Sequence, residues 1–265
     1  VQIRKDFNFI KNLRYISNVT YNLLEWQSWL DQVQEDSMQF QHFTLENCES
    51  ATGLVIVIDV LRAFSTAAYA FAAGVEEIIL VSTVEEAFSL KAEINRSMIM
   101  GEVDGLPVEG FDYGNSPVQF DGRNLQGIPL IQRTTSGTQG VVLSQNAETL
   151  LTTSFCNAGA TAEYVVSLSP VEVSFVITGK RSGDWGDEDQ ACADYIQSLI
   201  LKRNEDPEQF LDRVRKSKPG RYFLNSEMSD YPLRDLEYCL EINKFNFIME
   251  VQRLNEHLRL RCSTL

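Results

Sequence analysis

The fold is decided by the stretch LVIVIDVLRAFSTAAYAFAAG, which spans residues 54–74. Its first five residues form a continuous aliphatic run, as expected of a β-strand that is buried on both faces of a sheet. Asp59 follows this run directly, and the alanine-rich segment after it predicts a helix from Arg62 to Ala73 that ends at Gly74. A buried strand that leads into a helix is the first half of a βαβ unit.

The same alternation of strand and helix continues along the chain. The predicted strands cover residues 77–82, 97–100, 128–132, 150–154 and 171–178, and the predicted helices cover residues 83–94, 157–167 and 187–203, with a further helix that opens at residues 134–138. Strands that alternate with helices predict an α/β fold with a mostly parallel sheet covered on both faces. We expect the chain after about residue 203 to be largely helical.

The first 37 residues differ from this pattern. Their apolar residues recur at helical spacing, namely Leu23, Trp26, Leu30 and Val33. Residues 1–37 are therefore predicted to form a helical N-terminal extension, whose apolar face can mediate contacts between two copies of the chain in a homodimer. A new segment begins at Met38, so the predicted domain spans residues 38–265.

Composition excludes several classes of function. The 265 residues contain 23 basic and 37 acidic side chains, a net charge of −14 that argues against nucleic acid or an anionic membrane surface as partner. With His42 and His257 as its two histidines, the chain is unsuited to a site built on several histidines. The five cysteines lack CxxC spacing, and no apolar run reaches membrane-spanning length. Because no apolar region follows Arg4, Lys5 and Lys11, we do not expect these residues to belong to a secretory signal. We expect a cytoplasmic protein without a membrane span.

Polar residues follow the predicted strands, and the carboxyl ends of parallel strands are where ligands bind in open α/β sheets. Asp59 is a candidate metal ligand or nucleophile, or else the ion-pair partner of Arg62. The glycine-rich loop of residues 101–117 contains Glu102, Asp112 and Asn115. Their oxygen atoms suit a hard cation such as Mg²⁺, although a plain surface loop would have the same composition.

The later strand ends have a similar character. Arg133 precedes Thr134–Thr138, where hydroxyl groups and a glycine at a helix start predict an anion site or an ordinary capped helix. Asn157 is expected to cap the next helix. Glu188 and Asp189 lie at another helix start, where the helix dipole favours carboxylates in any case.

Several of these segments together resemble one known family. They are IDVLRA at residues 58–63, GE at 101–102, GFDYGNSP at 110–117, TTSGT at 134–138, SFCNA at 154–158 and, further on, Glu188-Asp189 followed by Cys192-Ala193. In this order they are similar to the motifs of the 2-phosphosulfolactate phosphatase (ComB) family. The resemblance covers the chain from about residue 38 to its C-terminus.

The resemblance implies a three-layer α/β/α fold and an Mg²⁺-dependent phosphomonoesterase. Members of that family hydrolyse 2-phospho-3-sulfolactate to sulfolactate and phosphate, a step in coenzyme M biosynthesis. Our hypothesis for the site follows from it. Mg²⁺ is held by a subset of the strand-end carboxylates, which are Asp59, Glu102, Asp112, Glu188 and Asp189. Phosphate or sulfonate oxygens are bound by the cations and helix-start donors, which are Arg62, Arg133, Thr134, Thr135, Ser136, Gly137 and Thr138, while Asn115 and Asn157 position water or ligand oxygens.

Two alternatives stay open at this point. The substrate can be another small phosphorylated 2-hydroxy acid, or the chain can be a non-catalytic anion-binding or regulatory protein on the same scaffold. The net charge of −14 opposes any anionic substrate unless a bound cation reverses the local sign. We therefore expect substrate binding to depend on metal.

Overall fold

The computed structural model describes residues 38–179, 186–225, 227–254 and 256–265, which contain nine strands and eight α-helices. The strands are β1 Gln39–Thr44, β2 Leu54–Ile58, β3 Ile78–Leu80, β4 Met98–Gly101, β5 Leu130–Arg133, β6 Thr149–Thr153, β7 Glu172–Ile177, β8 Ile248–Leu254 and β9 His257–Ser263. The helices are α1 Ala63–Ala72, α2 Val84–Glu93, α3 Gly137–Leu143, α4 Ala158–Leu168, α5 Asp187–Ile200, α6 Pro207–Lys216, α7 Lys218–Leu224 and α8 Leu233–Cys239. The helix predicted within residues 1–37 lies outside the described residues, and the domain boundary at residue 38 stays a prediction.

All nine strands belong to one sheet, in the order β1-β7-β2-β6-β8-β9-β3-β5-β4. It contains two parallel blocks, β1-β7-β2-β6 and β3-β5-β4. The antiparallel hairpin β8-β9 joins them. Five of the eight pairings in this described sheet are parallel, which confirms the predicted mixed α/β fold with mostly parallel strands. The three-layer arrangement stays a prediction.

The prediction that the chain after residue 203 is largely helical is wrong for residues 248–254 and 257–263, which form the two strands of the central hairpin. The sequence there does contain a strand signal, because Leu258 and Leu260 alternate with Arg259 and Arg261. Both arginines form ion pairs with Glu77 near β3, which fixes the hairpin against the second block.

Helix α1 lies between the two blocks of the sheet. Its residues pack in one core cluster with Val55 and Val57 of the first block and with Ile78 and Leu130 of the second. Side chains from Ala63 to Phe71 are buried around the whole helix, as the alanine-rich sequence allows. Alternate residues of β2 point to a second cluster that contains α4 and α5, so β2 is covered on both faces, as its unbroken aliphatic run predicts.

The curl of the sheet determines where the strand ends lie. Three antiparallel pairings separate the blocks, so a flat sheet would place their carboxyl ends at opposite edges. The side chain of Gln132 nevertheless donates a hydrogen bond of 3.0 Å from Nε2 to the carbonyl of Ala63, which follows β2. The sheet therefore curls around α1, and the two sets of carboxyl ends meet.

No helix in the described ranges is long and apolar enough to cross a membrane.

A glycine at the end of β4 is required by the close approach of β5. Gly101 has φ of 137°, and a Cβ atom there would collide with the backbone carbonyl of Arg133, its partner in the β4–β5 register.

We expect Gly101→Ala to lower the free energy of unfolding by about 2–6 kcal/mol in urea denaturation, from backbone strain and overpacking together. Gly122 is the matched control, because it has φ of 65° and no atom lies within 4 Å of the point where a Cβ would stand. Gly122→Ala should cost about 1 kcal/mol, and equal losses in the two variants would contradict the role of the close approach.

Candidate active site

Strand register brings polar residues together at the meeting point of the two blocks. Ile58 at the end of β2 is paired with Thr153 of β6 and Ile177 of β7, so the residues that follow these three strands leave the sheet at one level. Gly101 is paired with Arg133 in the second block, so Glu102 and Thr134 leave together as well. Strand-end residues of both blocks therefore meet at one place, although some of the predicted site residues do not reach it.

A cavity of about 290 Å³ opens at these strand ends. Its acidic lining residues are Asp59, Glu102, Asp104 and Glu188, and its basic ones within the described ranges are Arg62 and Lys218. A second cavity of about 160 Å³ shares Arg62, Glu102, Gly105 and Asn115 with the first, so the two adjoin. Volumes of this size suit a small molecule rather than a macromolecular ligand.

Asp59 links the starts of two helices. Its Oδ1 accepts a hydrogen bond of 2.9 Å from the backbone N–H of Ala63 in α1. Burial raises the pKa of Asp59 to about 6, and the negative charge of Glu102 adds to this, while hydrogen bonds from the N–H groups of Ala63 and Gly137 lower it. The carboxylate is therefore held between α1 and α3 at a position where another negative charge is close.

Asp189 accepts hydrogen bonds from residues that follow β2 and β7. It accepts hydrogen bonds from the N–H of Val60 at 2.8 Å, the N–H of Gly179 at 2.8 Å and the hydroxyl of Thr178 at 3.2 Å. Burial raises the pKa of Asp189 well above its usual range, and the charges of Glu188 and Asp59 raise it further. Because Asp189 does not line the cavity, its contacts place it behind the site rather than in it.

Glu188 does line the cavity and is buried. It begins the first turn of α5 beside Asp189. A Cβ atom on Gly179 would collide with its carboxylate, so the close approach of the β7 end to α5 requires glycine. Three separate elements, β2, β4 and α5, therefore supply buried carboxylates to one cavity.

Glu102 and Arg133 hold the ends of β4 and β5 together. The carboxylate of Glu102 accepts hydrogen bonds of 2.5 Å from the N–H groups of Gly105 and Thr135. Nη1 of Arg133 donates to the backbone carbonyl of Glu102 at 2.7 Å and to the hydroxyl of Thr135 at 3.2 Å. Arg133 does not line the cavity, so its contacts support these loops from behind, whereas our hypothesis had it bind the substrate.

The segment 134–138 divides into two parts. Thr134 and Thr138 are buried, and each donates its N–H to the hydroxyl of the other at 3.0 Å, which joins the end of β5 to the first turn of α3. Thr135 and Ser136 line the cavity, and Gly137 faces Asp59. The structure thus places the middle of this motif at the cavity, while its two ends bond to each other.

Two further predicted site residues, Asp112 and Asn157, are not brought to the cavity either. Asp112 forms an ion pair of 2.5 Å with Lys91 and accepts a hydrogen bond from the N–H of Ile99. Asn157 is fully buried; its Oδ1 accepts a hydrogen bond from the N–H of Ser154 and its Nδ2 donates to the carbonyl of Phe247. It occupies the N-cap position of α4, but its side chain makes no capping hydrogen bond to that helix and instead closes the short 3-10 turn of residues 155–157. Its predicted ligand role does not fit these contacts.

Asn115 has an unusual environment. It is 8% exposed, lines both adjoining cavities, and its Oδ1 has no hydrogen-bond donor among the described residues. A buried amide oxygen without a donor costs free energy unless a ligand, an ion or water satisfies it. The Oδ1 atom is therefore an acceptor available to whatever occupies the cavity.

Arg62 is held by residues that the strand-end pattern does not reveal. Nη1 forms an ion pair of 2.7 Å with Asp235, whose other oxygen accepts a hydrogen bond of 2.6 Å from Ser116. The guanidinium lies 5.3 Å from the ring centre of Phe223 and 5.1 Å from that of Tyr231. The cavity also contains Lys218 and Tyr222 of α7 and Tyr231 from the α7–α8 connection. None of these follows a strand, so the sequence contains no local signal for them.

The carboxylates do not form a complete metal site by themselves. No group of three or more His, Cys, Asp or Glu residues in the described parts of the chain is arranged to hold a metal ion. Any cation bound here would therefore need further ligands, such as amide oxygen, water or substrate.

Comparisons with known proteins place this site in a family context. Residues 42–253 match the family model described as 2-phosphosulpholactate phosphatase. The chain is 37% identical over 202 residues to the probable 2-phosphosulfolactate phosphatase of Bacillus subtilis (strain 168), which covers 76% of this chain and 88% of that relative. It is 36% identical over 223 residues to the protein of the same name from Carboxydothermus hydrogenoformans, and the match covers 78% of this chain and 88% of that relative. It is 31% identical over 218 residues to the probable 2-phosphosulfolactate phosphatase of Clostridium perfringens (strain 13 / Type A), and the match covers 76% of this chain and 87% of that relative.

The raised pKa of Asp59, about 6 against an ordinary 3.8, makes stability depend on pH. Between these values the folded state binds more protons than the unfolded chain, so the free energy of unfolding falls as pH rises through this window. Asp59→Asn should therefore be more stable than the wild type at pH 7 in EDTA, by about 1–3 kcal/mol. The difference should vanish near pH 4, as measured by urea denaturation at several pH values.

The control for this prediction is Glu163→Gln, which removes an exposed carboxylate from α4. It should keep the wild-type pH dependence. An Asp59→Asn variant that is less stable than the wild type at pH 7 in EDTA would contradict the destabilising effect of the buried charge.

The ion pair of Arg62 with Asp235 is buried, with side chains 6% and 0% exposed. Asp235→Asn keeps an acceptor for Ser116 but leaves the guanidinium charge uncompensated. We expect the free energy of unfolding to fall by about 3–5 kcal/mol. Asp212→Asn, which alters an exposed pair with Arg215 and Lys216, should leave stability nearly unchanged in the same urea titration. A similar effect of the two changes would show that the buried pair has no special role.

Proposed function

Because the chain belongs to the 2-phosphosulpholactate phosphatase family, we propose that it hydrolyses 2-phospho-3-sulfolactate, or a similar phosphorylated 2-hydroxy acid, with the aid of Mg²⁺. Water attacks phosphorus, the bond from phosphorus to the C2 oxygen breaks, and the products are sulfolactate and phosphate. The observation that carries the proposal is the cavity of about 290 Å³ into which three elements project buried carboxylates.

The charge of the cavity supports a cation cofactor. Asp59, Glu102 and Glu188 are each less than 10% exposed, and a phosphorylated substrate would add further negative charge to their surroundings. Coulomb repulsion between unit charges about 4 Å apart costs about 1–4 kcal/mol at the effective dielectric constants of protein surfaces and water. A divalent cation would offset this repulsion and bring the phosphoryl group to the carboxylates.

The donor set fits Mg²⁺ better than a softer metal. The residues available at the cavity are carboxylates and the Oδ1 of Asn115, which are oxygen ligands, and no donor in the described structure satisfies that Oδ1. Mg²⁺ commonly keeps several waters and takes one or two carboxylates plus substrate phosphate oxygens. The lack of a complete set of three acidic ligands among the described residues agrees with such a partial protein site.

In this proposal Asp59 and Glu102 hold the cation, with Asn115 as the neutral ligand. The bound Mg²⁺ would neutralise charge on the phosphoryl group and make phosphorus more electrophilic. Thr135 and Ser136 would bind phosphoryl oxygens at the start of α3. Glu188, which reaches the cavity from α5, would accept the proton of the attacking water. Solvent water would supply a proton to the C2 oxygen as its bond to phosphorus breaks, which completes the alcohol of the product.

The proposal assigns some residues differently from the sequence hypothesis. We propose Asp189 and Arg133 as positioning residues, because neither lines the cavity and their side chains hydrogen-bond to backbone and hydroxyl groups at the strand ends. Asp112 and Asn157 are left out of the proposed site because their side chains are engaged elsewhere.

The test is steady-state hydrolysis of 2-phospho-3-sulfolactate with Mg²⁺ and in excess EDTA. We expect activity to require Mg²⁺, and Asp59→Asn and Glu188→Gln to lower kcat/KM by at least about 100-fold, as for loss of a group that acts on the reacting atoms. Asp112→Asn is the matched control, because it removes a carboxylate that is paired with Lys91 outside the cavity. It should change kcat/KM by no more than about threefold, in line with an exposed ion pair.

Contrary results have distinct meanings. Full activity in EDTA, with metal removal verified, would refute the cation role. A loss in Asp112→Asn as large as that in Asp59→Asn would refute the proposed ligand set. Turnover of a different phosphorylated 2-hydroxy acid in a substrate panel would identify another substrate, and tight binding of phosphate without any turnover would favour the non-catalytic alternative.

A further inference from the structure

Asn115 lies between two anchors in the loop that lines both cavities. Before it, the carbonyl of Tyr113 accepts a hydrogen bond of 3.2 Å from the N–H of Gly101, which ties this part of the loop to the end of β4. After it, the hydroxyl of Ser116 donates to Asp235 at 2.6 Å. The Oδ1 of Asn115 itself has no donor among the described residues. The position of this oxygen therefore depends on the anchors and not on a bond of its own.

The two oxygens of Asp235 serve different elements. Oδ2 accepts a hydrogen bond of 2.7 Å from Nη1 of Arg62, while Oδ1 accepts from the hydroxyl of Ser116 at 2.6 Å and from the N–H of Val118 at 3.4 Å. The carboxylate lies in the first turn of α8 and is fully buried, where an ionised group is costly unless it is paired. Its two nearest partners, Arg62 and Ser116, both line the smaller cavity.

The backbone of Ser116 couples this bond to Asn115. Ser116 is extended, with φ of −134° and ψ of 115°. In an extended chain the directions of successive side chains are fixed relative to each other. Holding the Ser116 hydroxyl at Asp235 therefore also holds the side chain of Asn115 in the orientation in which it lines the cavities. Without that bond, rotation of the loop backbone would turn Asn115 as well.

A second tether between α8 and the following part of the chain provides a comparison. The hydroxyl of Tyr238 donates to Oδ2 of Asp121 at 2.6 Å. Asp121 follows the 3-10 turn Pro117–Phe120, and its side chain is 57% exposed. Neither Tyr238 nor Asp121 lines the two cavities of the site. The two tethers of α8 therefore differ in whether they lead to Asn115.

We propose that Asp235 is a positioning residue, which holds the Asn115 amide oxygen toward the cavity through Ser116 and holds Arg62 beside it through its other oxygen. Asp235 contacts neither the substrate nor the cation. This inference rests on the proposed function, in which Asn115 is the neutral ligand of Mg²⁺. It adds to the site a residue of α8 that lies 119 positions beyond Ser116 in the chain.

The main test variant is Ser116→Ala, because it removes one bond to Asp235 and keeps the buried ion pair with Arg62. Asp235→Ala would break both links and endanger folding. We expect Ser116→Ala to weaken Mg²⁺ binding to the full chain about 10-fold or more in calorimetry, the effect typical of groups that orient metal ligands. kcat/KM at low Mg²⁺ should fall in the same proportion, and high Mg²⁺ should restore kcat.

Asp121→Asn is the matched control, because it alters the other tether of α8 at an exposed carboxylate. It should change Mg²⁺ affinity and kcat/KM by no more than about twofold. A loss as large as that of Ser116→Ala would show that any weakening of α8 has this effect, which would overturn the specific role of Asp235.

A double-mutant cycle tests whether the effect passes through Asn115. In an Asn115→Ala background the amide oxygen is gone, so Ser116→Ala should change Mg²⁺ affinity by less than about twofold. Its effect on urea denaturation should remain in both backgrounds. Equal losses of Mg²⁺ affinity with and without Asn115 would refute the proposal, since Ser116 would then act independently of that residue.

The order of the Asn115 side chain gives a readout that needs neither turnover nor metal. Its amide signal is assigned by its absence in Asn115→Ala, and ¹⁵N relaxation reports its motion on the ps–ns timescale. We expect greater mobility in Ser116→Ala and no change in Asp121→Asn. An Asn115 amide that is as ordered in Ser116→Ala as in the wild type would overturn the proposal. If the wild type hydrolyses no phosphomonoester, the phosphatase proposal fails, while this measurement still decides the positioning role.

Discussion

The site depends on one buried carboxylate that joins the two halves of the sheet. Asp59 follows β2 of the first block and accepts hydrogen bonds from the first residues of α1 and α3, and α3 follows β5 of the second block. Burial and the nearby charge of Glu102 raise its pKa, so this link is made at the expense of like-charge repulsion. Carboxylates whose pKa is shifted by burial and by a second charge cluster at functional sites.

The curl of the sheet explains why that repulsion exists at all. The hairpin β8-β9 reverses strand direction between the blocks, and only the bending of the sheet around α1 brings both sets of strand ends to one place. The small side chains of α1 allow it to lie between two sheet surfaces, where a helix with larger residues would keep the blocks apart. The fold thus gathers carboxylates that would otherwise lie at opposite edges.

The net charge of −14 now has a spatial interpretation. Acidic side chains from several parts of the chain line one cavity together with Arg62 and Lys218. An anionic substrate is therefore compatible with a strongly acidic protein, because the local arrangement of charge and not its sum decides binding.

The sequence by itself determined the local elements and the polar strand ends. The unbroken aliphatic run of β2 predicted a strand buried on both faces, and Asp59, Glu102 and Glu188 were found as candidates because each stands at the end of a strand or the start of a helix. The tertiary structure alone decided which candidates share the cavity. It separated Asp112, which Lys91 engages, and it added Lys218, Tyr231 and Asp235, whose positions depend on how α7 and α8 pack. The physical reason is the distance along the chain over which each effect acts. Backbone propensity and hydrophobic pattern depend on residues a few positions apart. The contact of Arg62 with Asp235 joins residues 173 positions apart and depends on the packing of the whole domain.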